Sequence, residues 1–75
     1  MTFEKVKEII MEHLELDDDQ VTMESKLAED LKADSLDLVE MVTIVEDSFG
    51  MEFPDEVYEK LVTVGDIVRY IDSVI

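Results

Sequence analysis

The chain has 75 residues, 21 acidic against 6 basic, for a formal charge of −15, and 47% of them are apolar. A chain of this length buries only about 60% of its unfolded surface, which permits one small domain over residues 1–75 and excludes an enzyme built on an interdomain cleft. The charge excludes nucleic acid and anionic membranes as electrostatic partners and points to basic protein surfaces, while the absence of cysteine excludes disulfides, thiolate metal sites and cysteine nucleophiles. The apolar runs, such as Ile9-Ile10-Met11, fall far short of the roughly 18 residues of a spanning helix, and the N-terminus has no charged region followed by an apolar stretch. No membrane insertion is expected, and a cytoplasmic location is.

In chain order, Phe3, Val6, Ile10 and Leu14 recur at spacings of three and four, with Ile9 at the flank and Thr2 as N-cap, which predicts an amphipathic helix from Phe3 to Glu15. The stretch Leu16 to Asp34 is polar, with isolated apolar residues at Val21, Met23, Leu27 and Leu31. It is long for a connection, and long loops in small domains are usually functional or disordered. Asp34 then supplies an N-cap with Asp37 as its capping-box partner, opening a helix from Ser35 to Phe49 that Gly50 stops. Pro54 and Asp55 predict a short helix through Lys60, with Asp55 as a capping acid. Thr63 with Asp66 repeats the capping pattern before a last helix whose stripe holds Ile67, Ile71 and Val74, with Val68 and Ile75 beside it. The sum is an all-α, small four-helix bundle, three longer helices and one short, with a long first loop.

The helix from Ser35 to Phe49 carries two apolar faces when its residues are placed at about 100° per position. Leu38, Met41, Val42, Val45 and Phe49 form a broad core stripe. Leu36, Val39 and Thr43 form a narrower second strip edged by Glu40, Glu46 and Asp47, with Ser35 at its N-terminal end. A small apolar strip with an acidic rim reads as a docking surface, and from Ala33 to Glu59 there are nine acidic residues and no basic one. His13, the sole histidine, reads as a partly packed structural residue, so no base is at hand to make Ser35 a hydrolase nucleophile. Asp17-Asp18-Asp19 fails as an EF-hand, since Val21, Thr22 and Ala28 would fall on ligand, glycine and terminal glutamate positions; no metal site is expected.

The segment Asp30-Leu31-Lys32-Ala33-Asp34-Ser35-Leu36-Asp37 resembles the modification motif of acyl carrier proteins, with Asp34-Ser35-Leu36 at its centre. The resemblance extends over nearly the whole chain: Val21-Thr22 and Leu27 in the long loop, Val39-Glu40, Phe53-Pro54-Asp55-Glu56, and Thr63-Val64-Gly65-Asp66-Ile67. It implies that Ser35 carries 4′-phosphopantetheine, transferred covalently from coenzyme A by a separate phosphopantetheinyl transferase (the holo synthase), with acyl groups held as thioesters on the arm. It implies a carrier rather than an enzyme, working in fatty-acid synthesis as a monomer. Partner enzymes with basic patches are expected at Asp34, Leu36, Asp37, Val39, Glu40, Glu46 and Asp47. Three positions depart from the commonest pattern: Lys32 where glycine is usual, Leu38 where a smaller or polar residue is frequent, and Thr43 where methionine is common. A polyketide or other pathway carrier is the alternative within the class; an unmodified acidic helical adaptor for basic partners is the alternative outside it.

Overall fold

A computed structural model describes residues 2–75, and its helices are α1 (Thr2–Leu14), α2 (Ser35–Phe49), α3 (Asp55–Tyr58) and α4 (Val64–Val74). The sole β pairing among the described residues is an isolated antiparallel bridge between Lys26 and Thr63. The expected all-helical architecture of three longer helices and one short one is the one observed.

Thr2 lies within α1 rather than capping it. Its hydroxyl instead donates to the Asp72 carboxylate at 2.6 Å, tying the start of α1 to the end of α4. Val6 and Ile10 are fully buried, with Phe3, Ile9 and Leu14 packed at the edge of the core. The helix stops one residue earlier than predicted because Glu15 adopts a left-handed conformation (φ 54°) and Leu16 N–H donates back to the Met11 carbonyl at 3.1 Å. That is the helix-ending geometry glycine usually provides. Gly50 provides it for α2, at φ 65° with Met51 N–H bonded to the Glu46 carbonyl.

The long connection is ordered. After a 3₁₀ turn at Asp18–Gln20, it buries Val21, Leu27, Leu31 and Ala33 in the same core as the helices. Its one buried polar residue, Ser25, accepts from Thr22 N–H (2.9 Å) and donates to the Gln20 carbonyl (3.0 Å). Backbone bonds Leu27 N–H to Val62 O, Val64 N–H to Ser25 O and Gly65 N–H to Met23 O stitch it to the start of α4. Gly65 is required there, since a Cβ would lie 2.9 Å from the Met23 carbonyl oxygen.

Three predicted details change toward the C-terminus. The short helix α3 ends at Tyr58, because Lys60 and Leu61 N–H bond three residues back, to Val57 and Tyr58, and the last turn tightens. Asp55 is its first helical residue and caps nothing with its side chain; Pro54 holds the cap position. In α4 the Thr63–Asp66 capping box forms as expected and Ile67, Val68 and Ile71 are buried, but Val74 and Ile75 run past the core and are exposed.

Candidate functional site

Ser35 is exposed as the first residue of α2, and the segment leading to it is tightly held. Leu31 and Ala33 are buried plugs, Ala33 N–H donates to the Leu27 carbonyl (2.9 Å), and Lys32 between them is exposed at φ 61°. Asp34 and Asp37 form a reciprocal capping box: the Asp34 carboxylate accepts from Asp37 N–H (2.9 Å) and the Asp37 carboxylate from Asp34 N–H (3.4 Å). Both acids nearest Ser35 are thereby directed at backbone donors. The first-turn N–H groups of Ser35 and Leu36 lie where an α-helix has no intrahelical acceptor, a local field that favours an anionic phosphodiester on the serine.

The predicted core stripe and docking strip separate cleanly. Met41, Val42 and Val45 are buried, with Leu38 and Phe49 at the margin, whereas Leu36 and Val39 are 66% and 48% exposed. The Thr43 hydroxyl donates to the Val39 carbonyl (2.8 Å), so the strip keeps its apolar character despite the threonine. Among the rim acids, Glu40 and Asp47 are exposed, but Glu46 is half-buried and its carboxylate accepts from Phe53 N–H at 2.6 Å, holding the α2–α3 loop.

Three features were not read from the sequence. A cleft of about 180 Å³ beside Ala33 and Leu38 is lined further by Leu27, Leu61 and Val62, with Lys26 and Glu29 on its wall. Its walls come from segments far apart in the chain, so no local periodicity signals it. His13 Nε2 lies 3.6 Å from Asp37 and 3.8 Å from Glu40, linking α1 to the helix that carries Ser35. Ile44, which belongs to neither predicted face of α2, is 40% exposed and lines a cleft with Ile9, Glu12 and His13. Its angular offset from the core stripe was the one available signal.

Residues 4–71 match the family described as the phosphopantetheine attachment site. The acyl carrier protein of Wolinella succinogenes is 51% identical over 71 residues, covering 95% of this chain and 93% of its own. Among solved structures, the acyl carrier protein of Enterococcus faecalis superposes with a TM-score of 0.81 at 44% identity, over 96% of this chain and 91% of that one. A proposed acyl carrier protein from Mycobacterium tuberculosis superposes with a TM-score of 0.91 at 27% identity, over 97% of both chains.

Proposed function

This chain belongs to the acyl carrier proteins and carries their phosphopantetheine-attachment domain, and from that premise we propose that Ser35 is the residue modified. The observation that carries the assignment is its exposed position as the first residue of α2, with its flanking carboxylates drawn into the capping box and first-turn N–H groups beside it. Ser35 Oγ receives the 4′-phosphopantetheinyl group of coenzyme A: a new P–O bond forms to the pantetheine-side phosphorus, the pyrophosphate P–O bond breaks, and adenosine 3′,5′-bisphosphate leaves. The serine proton passes to a base of the transferase. Once attached, the arm supplies a terminal thiol that holds acyl groups as thioesters.

The remaining roles fall to this chain's own side chains. Leu36 and Val39 offer the apolar contact, and exposed Glu40 and Asp47 offer charge to a basic enzyme surface. Such rim charges speed encounter and are screened by salt, which suits a carrier that must also leave. The cleft between Leu27, Ala33, Leu38, Leu61 and Val62 gives an acyl chain an apolar refuge between enzymes. Tethering raises the effective concentration of the intermediate at whichever active site the carrier visits. The pathway we assign is fatty-acid synthesis, with the carrier acting as a cytoplasmic monomer of one domain.

The test is intact mass after incubating unmodified protein with coenzyme A and a broad-specificity phosphopantetheinyl transferase, followed by peptide mapping. One added phosphopantetheinyl group on Ser35, lost in Ser35→Ala, is the expected result. A folded protein that takes no group, or takes it elsewhere, overturns the assignment.

A further inference from the structure

Six basic residues face 21 acidic ones in this chain, so a cation left without a partner is unexpected. Lys7 pairs with Asp18 (3.0 Å), Lys26 with Glu29 (3.4 Å) and Arg69 with Asp66 (2.9 Å), while Lys5 lies over the Phe49 ring at 5.8 Å. Among the described residues, Lys32 and Lys60 are the two that make no such contact. Lys60 follows α3, whereas Lys32 stands three residues before Ser35.

The carboxylates nearest Lys32 in the chain are committed to other donors. Glu29 pairs with Lys26, the Asp30 carboxylate accepts from Lys26 N–H (2.9 Å), and Asp34 and Asp37 cap each other's backbone. Lys32 itself is held from both sides: buried Leu31 donates its N–H to the Lys26 carbonyl (3.1 Å), and buried Ala33 donates to the Leu27 carbonyl (2.9 Å). With its neighbours turned into the core, Lys32 is left in solvent, and Ser35 is exposed as well. The Lys32 φ of 61° lies in the left-handed region, where glycine is at ease and a side chain is strained. A lysine in that conformation, unpaired amid an excess of acids, is a cation kept available.

From Lys32 to Ser35 the chain spans at most about 11 Å when fully extended. The four-carbon lysine stem at one end and a phosphodiester on the serine oxygen at the other close that distance, and an ammonium binds phosphate as a point charge that demands no fixed angle. We infer that Lys32 is a positioning residue for the attached arm, its ammonium pairing with the phosphodiester borne by Ser35. This rests on the assignment of Ser35 and deepens it by naming the cation that receives the phosphate. A phosphodiester held between Lys32 and Ser35 starts the arm beside Ala33, which is a wall of the apolar cleft.

The experiment compares unmodified and fully modified forms of the parent, Lys32→Gln, Lys32→Arg and Lys32→Gly, with peptide mass confirming the group on Ser35 before each measurement. At low ionic strength modification raises the Tm of the parent by about 2–4 °C more than that of Lys32→Gln, and the difference fades in about 1 M salt. Lys32→Arg keeps the increment. Lys32→Gly loses it, although its unmodified form, relieved of the left-handed strain, melts about 4 °C above the parent. The phosphorus-31 resonance of the phosphodiester differs between parent and Lys32→Gln at low salt and converges as salt rises. An equal rise of Tm on modification in these two proteins, or coincident phosphorus resonances, overturns the inference while leaving Ser35 as the attachment residue. A folded parent that takes no group, or takes it elsewhere, removes both readings.

Discussion

Replacing Gly65 by alanine tests the contact that fixes the long first loop. The new Cβ would lie 2.9 Å from Arg69 Nη1 and 2.9 Å from the Met23 carbonyl oxygen, against an ordinary contact of 3.4 Å or more. Arg69 is an exposed side chain and can swing away. The Met23 carbonyl cannot, because it accepts the Gly65 N–H at 2.9 Å and lies between loop residues anchored on either side. Overpacking of this kind costs about 1–3 kcal/mol, and straining the hydrogen bond adds up to about 1 kcal/mol. The better helix propensity of alanine returns at most about 1 kcal/mol, leaving a net loss near 2 kcal/mol. For a domain of this size that lowers Tm by about 8–16 °C. Urea and thermal unfolding measure it, with amide exchange at Leu27 and Val64, whose N–H groups bond across the same seam, reporting whether the seam has opened. Gly50→Ala is the control: nothing lies within 4 Å of its Cβ, so its loss comes from the left-handed φ of 65° alone, about 1 kcal/mol, without faster exchange at the seam. If Gly65→Ala melts at or above the parent temperature, helix propensity outweighs the collision and the argument fails.

Ser25→Ala leaves Thr22 N–H and the Gln20 carbonyl without their partner, and equilibrium unfolding records a loss of about 1–3 kcal/mol, whereas Thr22→Ala, which keeps both bonds and gives up only the hydroxyl contact of exposed Thr22 with Ser25 Oγ (3.1 Å), loses at most about 1 kcal/mol. For Asp66, partial burial pushes its carboxyl up, but the N–H groups of Thr63 and Val62 and the Arg69 guanidinium together outweigh this and hold it below the ordinary 3.8. A carboxyl lowered on folding contributes stability above its unfolded pKa and loses it as pH falls through the folded value, so Asp66→Asn is less stable than the parent at pH 7 and the gap closes below about pH 4 in urea melts. Glu40→Lys slows association with a basic transferase or synthesis enzyme about fivefold at low salt, and stopped-flow rates for parent and variant converge as salt is raised.

What could be read in advance was local. The capping boxes Asp34–Asp37 and Thr63–Asp66 are four-residue patterns, and Gly50 is a one-residue stop, so α2 and the start of α4 fall where the sequence places them. Glu15 carries no such signal: it adopts a conformation that glycine would have advertised, and α1 ends a residue early. The loop from Leu16 to Asp34 was legible only as a series of isolated apolar residues. Its order depends on bonds to Val62, Val64 and Gly65, some forty residues away, and on a glycine whose need comes from a neighbour in space. Ser35 and the Leu36–Val39 strip lie on one continuous helix, so helical periodicity brought them together. The Ile9–Ile44 cleft belongs to two helices and exists only in their packed register.

The same distinction sorts the carboxylates, which in a chain of −15 cannot be ranked by sign alone. Asp34, Asp37, Glu46 and Asp66 each accept a backbone N–H, and their first task is to hold a helix start or a loop. Glu40 and Asp47, though drawn from the same acidic stretch, stand exposed on α2 and can give their charge to a partner. Neutralising Glu46 therefore disturbs the α2–α3 loop before it disturbs docking, whereas neutralising Asp47 should act on association while leaving the unfolding transition in place. Charge brings basic partners to this surface from any direction; which carboxylates remain unengaged after folding decides where they settle.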